Sequence, residues 1–243
     1  MSQENVEIWS RADWQMSLGE RTALEGLLSQ LKPGVSIEIG TATGGSLERI
    51  AVHSEEVHSI DLAEEPQRIP ANAAFHKGNS RVVLPALLEG FAAQGRSVDF
   101  ALVDGEHSRE GARADLSALL ASPTVVRTLI LVHDSRNPAV RAGIASTRLA
   151  DNPKVAGWDL DFVPGRLASH PPFEGQQWGG FALVVVATGQ TDGLGLWALR
   201  PQAHFYEDSY ELVRTSPLRA RLRRWRSRGK PPRAGAADGQ AQT

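Results

Sequence analysis

Residues 35–46 read Val-Ser-Ile-Glu-Ile-Gly-Thr-Ala-Thr-Gly-Gly-Ser, and no other stretch limits the fold so strongly. A β-branched run ends in an acid, Glu38. A turn of small residues holding Gly40, Gly44 and Gly45 follows, and a helix-forming stretch runs from Ser46 to Val52. A strand that passes through a glycine turn into a helix is the building unit of α/β folds, which bind ligands at the carboxyl edge of the sheet. Glycine allows the backbone to come close to a ligand and to take positive φ. Asp61 closes the next apolar run, about 20 positions beyond the turn, where an acid is placed to accept hydrogen bonds from ribose hydroxyls. The pair predicts a nucleoside ligand.

The spacing narrows that ligand. Dinucleotide folds show Gly-x-Gly-x-x-Gly directly after the strand, whereas this chain has Gly40-x-x-x-Gly44-Gly45 preceded by Glu38. A carboxylate there repels a pyrophosphate and suits a cationic amine. On these residues the chain resembles the class I S-adenosylmethionine-dependent methyltransferases. Glu38-Ile39-Gly40 through Gly44-Gly45-Ser46 looks like their first motif and Ile60-Asp61 like their second. The resemblance implies S-adenosylmethionine, which carries an ammonium, a sulfonium and a ribose but no phosphate. It also implies that Glu38, Gly40, Gly44, Gly45, Ser46, Asp61 and Asp104 hold the cofactor, with Asn79 at the adenine; Ser80 reads as the cap of the helix that follows.

The apolar pattern predicts alternating strands and helices. Leucines at 18, 24, 27, 28 and 31 mark a helix over 17–31, with Ser17 and Glu20 as its capping box. Strands are predicted at 35–39, 57–60, 73–76, 97–103 and 128–132, and helices at 45–53, 81–93, 109–120 and 138–149. Two last strands, 157–163 and 180–186, flank a Pro/Gly-rich loop at 164–179 and can pair antiparallel as an edge hairpin. Strands alternating with helices imply a doubly wound, Rossmann-like α/β fold with helices on both faces. The seven strands, mostly parallel, match the sheet of the family named above, over roughly residues 17–188.

Three strand ends carry acids: Asp61, Asp104 and Asp134. The carboxyl ends of parallel strands share one edge, so these groups converge. Asp104 and Asp134 side by side call for a cation between them, and oxygen donors on rigid strand ends suit Mg²⁺. His107, three residues after Asp104, is the candidate general base. The run Val103-Asp104-Gly105-Glu106-His107-Ser108, with Asp115-Leu116 beyond, resembles the metal-assisted sugar and macrolide O-methyltransferase branch, which is akin to catechol-type enzymes. That resemblance implies Asp104 as metal ligand, His107 with Asp104 as the catalytic pair, and an acidic pair after strand five. Here Asp134 matches that pair, but His133 precedes it in place of an acid. His133 binds Mg²⁺ poorly and a transition metal better, and it is an alternative candidate for the base. The other histidines read as structural. Trp158 reads as core; Phe173 and Trp178 flank the long loop, which reads as a lid over an acceptor pocket, and Trp14 as a cover of the cofactor pocket.

The domain plan expected is a helical cap at 1–34, the cofactor-binding domain at 35–188, an extension at 189–213 with an added strand at 194–199 and a helix at 203–213, and a basic tail at 214–243. Composition predicts disorder over 229–243. Nine Lys or Arg and no acid fall between Arg214 and Arg233, although the chain's formal charge is only −2. The segment reads first as a solvated basic tail; as a basic amphipathic helix it also suits an anionic membrane surface, and nucleic acid ranks third. Cysteine is absent, which excludes disulfides and thiolate chemistry. The first residues lack the basic start and apolar core of a signal peptide, and no apolar stretch reaches membrane-spanning length. The expected location is the cytoplasm, with a peripheral membrane contact through the tail. The expected activity is methyl transfer to a hydroxyl of a small molecule or glycoconjugate. The alternatives are an RNA-modifying methyltransferase that uses the tail, a non-catalytic nucleotide-binding module, and a nicotinamide-dependent oxidoreductase, which lacks both its glycine spacing and a Tyr-x-x-x-Lys pair. The oligomeric state stays open, a homo-oligomer included.

Overall fold

The computed structural model describes residues 14–169 and 171–188. They lie in the first of two compact units, residues 1–203. The expectations for the 189–213 extension, the basic tail and the C-terminal disorder fall outside the described residues, as do His170 and His204.

The elements follow in the order α1 (Leu18–Leu31), β1 (Val35–Ile39), α2 (Gly45–His53), β2 (Glu56–Asp61), β3 (Ala73–Lys77), α3 (Ser80–Ala93), β4 (Phe100–Val103), α4 (Arg109–Ala121), β5 (Arg127–His133), α5 (Pro138–Ser146), a 3-10 turn (Leu149–Asp151), β6 (Val155–Val163), β7 (Arg166–Leu167), β8 (Gln177–Trp178) and β9 (Phe181–Ala187). Seven strands form one sheet in the order β3-β2-β1-β4-β5-β9-β6. The first five are parallel, and β9 runs antiparallel to both β5 and β6. The last two strands do pair antiparallel. β9 is interior and only β6 reaches the edge, because β9 also matches β5 residue for residue from Arg127↔Ala187 to His133↔Phe181.

Alternation along the strands explains why the sheet is covered twice. Ile37, Ile39, Ala101, Val103, Ile130 and Val132 pack with apolar residues of α3, α4 and α5. Val57, Phe100, Leu102, Leu131, Leu183 and Val185 pack with Leu24 and Leu28 of α1 and with Leu47 and Ile50 of α2. Strands buried on both faces need apolar residues at nearly every position, which is how Phe-Ala-Leu-Val and Leu-Ile-Leu-Val read. β4 is shorter than the sequence pattern suggested: Ser97 to Asp99 precede it, and Asp99 instead accepts the amides of Gly34 and Val35. Helix α5 ends at Ser146 rather than 149, where Arg148 turns into the left-handed region.

The capping box forms as expected. The Glu20 amide donates to Ser17 Oγ at 3.3 Å, and the Glu20 carboxylate accepts the Ser17 amide. At α3 the cap is Asn79, whose Oδ1 accepts the Arg81 amide at 3.0 Å; Ser80 is the first helical residue rather than the cap. Among the described residues no helix is long and apolar enough to cross a membrane.

Candidate functional site

The carboxyl ends of β1, β2, β4 and β5 open onto one cleft of about 1050 Å³. Gly40, Ser46, Asp61, Asn79, Asp104, His107, His133 and Asp134 all line it, together with Trp14, Glu20 and Thr41. Apart from Glu38 and Gly44, the residues read separately from the sequence line one cleft.

The glycine turn is built by contact. Gly40 has φ +91°, and a Cβ there would meet the Asp104 carbonyl oxygen at 2.0 Å. This glycine lets the β1 and β4 ends touch; the Asp104 amide in turn donates to Ile39 O at 2.7 Å. A Cβ on Gly45 would strike Trp14 at 2.8 Å, so that glycine makes room for an indole on the cleft wall. Gly44 starts α2 in the left-handed region and is not on the wall.

Asp61 is held firmly. Its Oδ2 accepts the amides of Thr41 at 2.7 Å and Ala42 at 2.9 Å, and its Oδ1 accepts Ala63 at 2.9 Å. Burial opposes its charge, but these backbone donors outweigh burial and hold the carboxyl below its usual range.

Glu38 requires a correction. It is fully buried beneath the turn and does not line the cleft, so it is not positioned as a direct partner of a ligand amine. Its two oxygens accept the hydroxyls of Ser46 and Ser59, each at 2.6 Å. Burial pushes its carboxyl up to about 8 against those two hydrogen bonds. It is a strut: β1 places Ser36 and Glu38 on the α2 side, and Glu38 ties α2 to β2. The Ser59 hydroxyl also meets Thr41 Oγ1, which links the strut to the cleft wall.

The chemical centre lies at the ends of β4 and β5. His107 Nε2 is 2.9 Å from Asp134 Oδ2 and 3.4 Å from Asp104 Oδ1. His133 Nδ1 is 2.8 Å from Asp104 Oδ1 and 3.6 Å from Asp134 Oδ2, and its Nε2 is 3.1 Å from Glu20 Oε1. Hydrogen bonds to Asp104 and Asp134 raise His107 to about 9 against burial. Burial works against charge on His133, yet the carboxylates of Asp104, Glu20 and Asp134 lift it well above the ordinary histidine value. Burial likewise resists the charge on Asp104, but His133 and His107 hold that carboxyl below the usual range. Asp134 has φ +50°, an uncommon conformation for a side-chain-bearing residue, and its Oδ1 accepts the Gly179 amide.

Asp104, His133 and Asp134 each offer one donor atom, all within 4.8 Å of one another. Neighbouring ligands around a metal with bonds of about 2.1 Å lie about 3 Å apart, so spacings of 2.8 and 3.6 Å from His133 Nδ1 to the two carboxylates fit a shared cation. One nitrogen among oxygens favours Mn²⁺ or another transition metal over Mg²⁺.

The 164–179 segment is more ordered than a plain loop. Its β7 and β8 pair as a small hairpin, and Leu167, Phe173 and Trp178 line the cleft. The Trp178 ring stands edge-on to His107 at 5.6 Å and to Phe173 at 5.3 Å. Trp158 packs on the core, as read. His53 is bonded to Glu25, and His58 to Glu56 and His76. Asp115 is buried under the Gly105 turn.

Sequence reasoning missed Glu20 as a site residue, and Gly179 and Gly180. Glu20 was legible only as a cap. Its second role depends on the placement of α1 beside β5 and β9, which no local pattern encodes. The Gly179-Gly180 pair was a visible signal: both φ values are positive, and a Cβ on Gly179 would lie 2.8 Å from Glu20 Oε1.

Residues 37–135 match a family model described as a methyltransferase domain. Comparison with curated proteins finds no match. Among solved structures, the chain is similar to an O-methyltransferase from Bacillus cereus in complex with SAH, at 17% identity over 75% of this chain and 87% of that one, with a TM-score of 0.52. It is similar to TomG, an O-methyltransferase from Streptomyces achromogenes involved in tomaymycin synthesis, in complex with SAM, at 16% identity over 77% and 91%, TM-score 0.50. MycE, from the mycinamycin biosynthetic pathway, in complex with Mg, SAH and mycinamycin VI, aligns at 14% identity over 72% of this chain and 51% of its own, TM-score 0.50. At these identities the likeness establishes the fold.

Proposed function

We propose that this chain transfers the methyl group of S-adenosylmethionine to a hydroxyl oxygen of a small molecule or of a sugar in a glycoconjugate, a reading supported by the match of residues 37–135 to a methyltransferase-domain family model and by a fold shared with O-methyltransferases solved with SAH or SAM. The observation that carries this reading is His107 Nε2, 2.9 Å from Asp134 and 3.4 Å from Asp104, in the same cleft that Asp61 and the Gly40 turn line.

The residues divide the work. Asp61, fixed by the turn's own amides, is the acceptor for ribose hydroxyls, and Asn79 and Gly105 lie on the same wall for the adenine. In the transfer, the acceptor oxygen forms a bond to the methyl carbon while the carbon–sulfur bond breaks, and its electron pair passes to sulfur, which leaves as a neutral thioether. The hydroxyl proton goes to the His107 ring nitrogen opposite Nε2, and Asp104 and Asp134, which accept the Nε2–H, stabilise the resulting imidazolium. A divalent cation held by Asp104, Asp134 and His133 would make the hydroxyl more acidic. The rings of Trp178 and Phe173 and the Leu167 side chain give the acceptor an apolar face beside His107. Such rings pack against planar groups. Holding the oxygen in line with the sulfonium supplies several kcal/mol of the barrier.

The test is a thermal melt with S-adenosylhomocysteine, followed by transfer assays with labelled methyl donor and a panel of phenolic, sugar and polyketide alcohols. A ligand that binds only the native state raises the melting temperature with concentration. No shift at millimolar ligand would remove the cofactor assignment, and transfer confined to amines or thiols would remove the hydroxyl assignment.

A further inference from the structure

Glu20 stands out because it belongs to α1, outside the matched domain, and yet reaches the centre of the site. It is 3% exposed. Each of its contacts is specific: Oε2 accepts the Ser17 amide, Oε1 accepts the Gly180 amide, and Oε1 faces His133 Nε2 at 3.1 Å. The other ring nitrogen of His133 is the one turned to Asp104 and Asp134. An imidazole whose Nε2–H is donated to a carboxylate presents Nδ1 on its opposite side, and such a partner fixes both the tautomer and the ring plane. Two backbone amides, that of Ser17 in the helix cap and that of Gly180, hold the Glu20 carboxylate in place. Gly179 has no side chain to crowd it; a Cβ there would lie 2.8 Å from Glu20 Oε1.

We propose that Glu20 is a positioning residue that clamps His133 through Nε2 and so sets Nδ1 as the third donor, with Asp104 and Asp134, for a divalent transition metal. This rests on the cation reading given under the proposed function. It adds that the helical segment ahead of the sheet is a working part of the metal centre and not only a cover.

The test uses the full chain and Mn²⁺ as probe. Mn²⁺ affinity is measured by calorimetry for the parent and for Glu20→Gln, Glu20→Ala and Ser17→Ala. Ser17→Ala removes the capping hydroxyl and weakens α1 but leaves the Glu20 contact with His133. Loss of an outer-shell partner of a metal-bound histidine typically weakens binding 10- to 100-fold. That loss is expected for Glu20→Ala, a smaller one for Glu20→Gln, and none for Ser17→Ala, although Ser17→Ala lowers the melting temperature. Parent-like affinity in both Glu20 variants, or an equal loss in Ser17→Ala, would overturn the proposal. Should Glu20→Ala fail to fold, Glu20→Gln carries the comparison, since it keeps the volume. The second readout is the ¹⁵N spectrum of histidine-labelled protein, with the His133 signals assigned by their loss in His133→Asn. If the parent binds no Mn²⁺, the cation reading fails by itself, and the clamp is judged on this spectrum. Changed His133 ring shifts in the Glu20 variants but not in Ser17→Ala uphold it, and unchanged shifts overturn it.

Discussion

Glu20 and His133 are 113 positions apart in the chain, and their Oε1 and Nε2 atoms are 3.1 Å apart in the fold. The contact joins the first described helix to the end of β5. With the amides of Gly179 and Gly180 on Asp134 and Glu20, it makes the centre a closed circuit of charges and donors. Three carboxylates and two imidazoles converge there, and each anion has a hydrogen-bonding partner.

Asp61→Ala is expected to weaken S-adenosylhomocysteine binding about 10- to 100-fold. Hydrogen bonds to charged groups contribute roughly 1.5–3 kcal/mol each, and the substitution also leaves the Thr41 and Ala42 amides without their acceptor. Calorimetry checks this; an unchanged dissociation constant would show that the ribose lies elsewhere.

His107→Ala is expected to lower kcat about 10²- to 10⁴-fold, the usual range for a lost acid–base group, with cofactor affinity unaltered. The pH dependence has a definite sign. His107 is raised to about 9 by its two carboxylates, and a base works only when neutral. Turnover of metal-depleted protein therefore climbs as pH rises towards about 9, and an added cation, by neutralising the carboxylates, moves that limb to lower pH. A profile flat from pH 6 to pH 9 would exclude His107 from proton transfer.

Chelator treatment is expected to depress turnover, with Mn²⁺ or Co²⁺ restoring it better than Mg²⁺ because one of the three donors is an imidazole nitrogen. Full activity after chelation, with no metal retained by elemental analysis, would leave His107 and its carboxylates as sufficient.

Glu38 links folding stability to pH. Its carboxyl sits at about 8 in the fold against 4.5 ordinarily. Between those values the unfolded chain has lost the proton and the folded one keeps it, so stability falls as pH rises through that window. Glu38→Gln removes this dependence. The stability of the variant relative to the parent should climb from about pH 5 to about pH 8, with a slope of at most about 1.4 kcal/mol per pH unit. Denaturant melts across that range check it; a constant difference would mean that Glu38 is ionised in the fold.

Gly179→Ala is expected to destabilise the chain by about 1–3 kcal/mol, the range for backbone forced into a sparsely populated conformation. Its φ of +73° disfavours a side chain, and the added carbon would press on Glu20. Because that strain acts on the His133 clamp, turnover should fall further than the fraction of folded protein does. Equal losses in the two measurements would confine the effect to folding.

The sheet was legible because its central strands are buried on both faces and are separated by helices of regular period. The Val35–Ile39 and Arg127–His133 strands and the Ser17 cap follow from local pattern alone. Asp104, His107, His133 and Asp134 were legible as a group because the ends of parallel strands must share an edge. Glu38 was misplaced for a physical reason: the sequence shows that an acid ends the strand but not which face it takes, and here the face belongs to α2 and the Ser59 side of β2. The role of Glu20 was hidden since it depends on the docking of a helix against strands more than 100 positions away. The place of β9 inside the sheet is equally non-local.

The small β7–β8 hairpin interrupts the chain between two neighbouring strands and carries Leu167, Phe173 and Trp178 into the cleft, while Gly40, Asp61 and Asp104 reach it from the ends of β1, β2 and β4. The two halves of the pocket are thus written in separate stretches of sequence. On the proposed function, exchanging that insert as a cassette is expected to change acceptor preference, provided the seam falls before Gly179-Gly180, whose amides anchor Asp134 and Glu20.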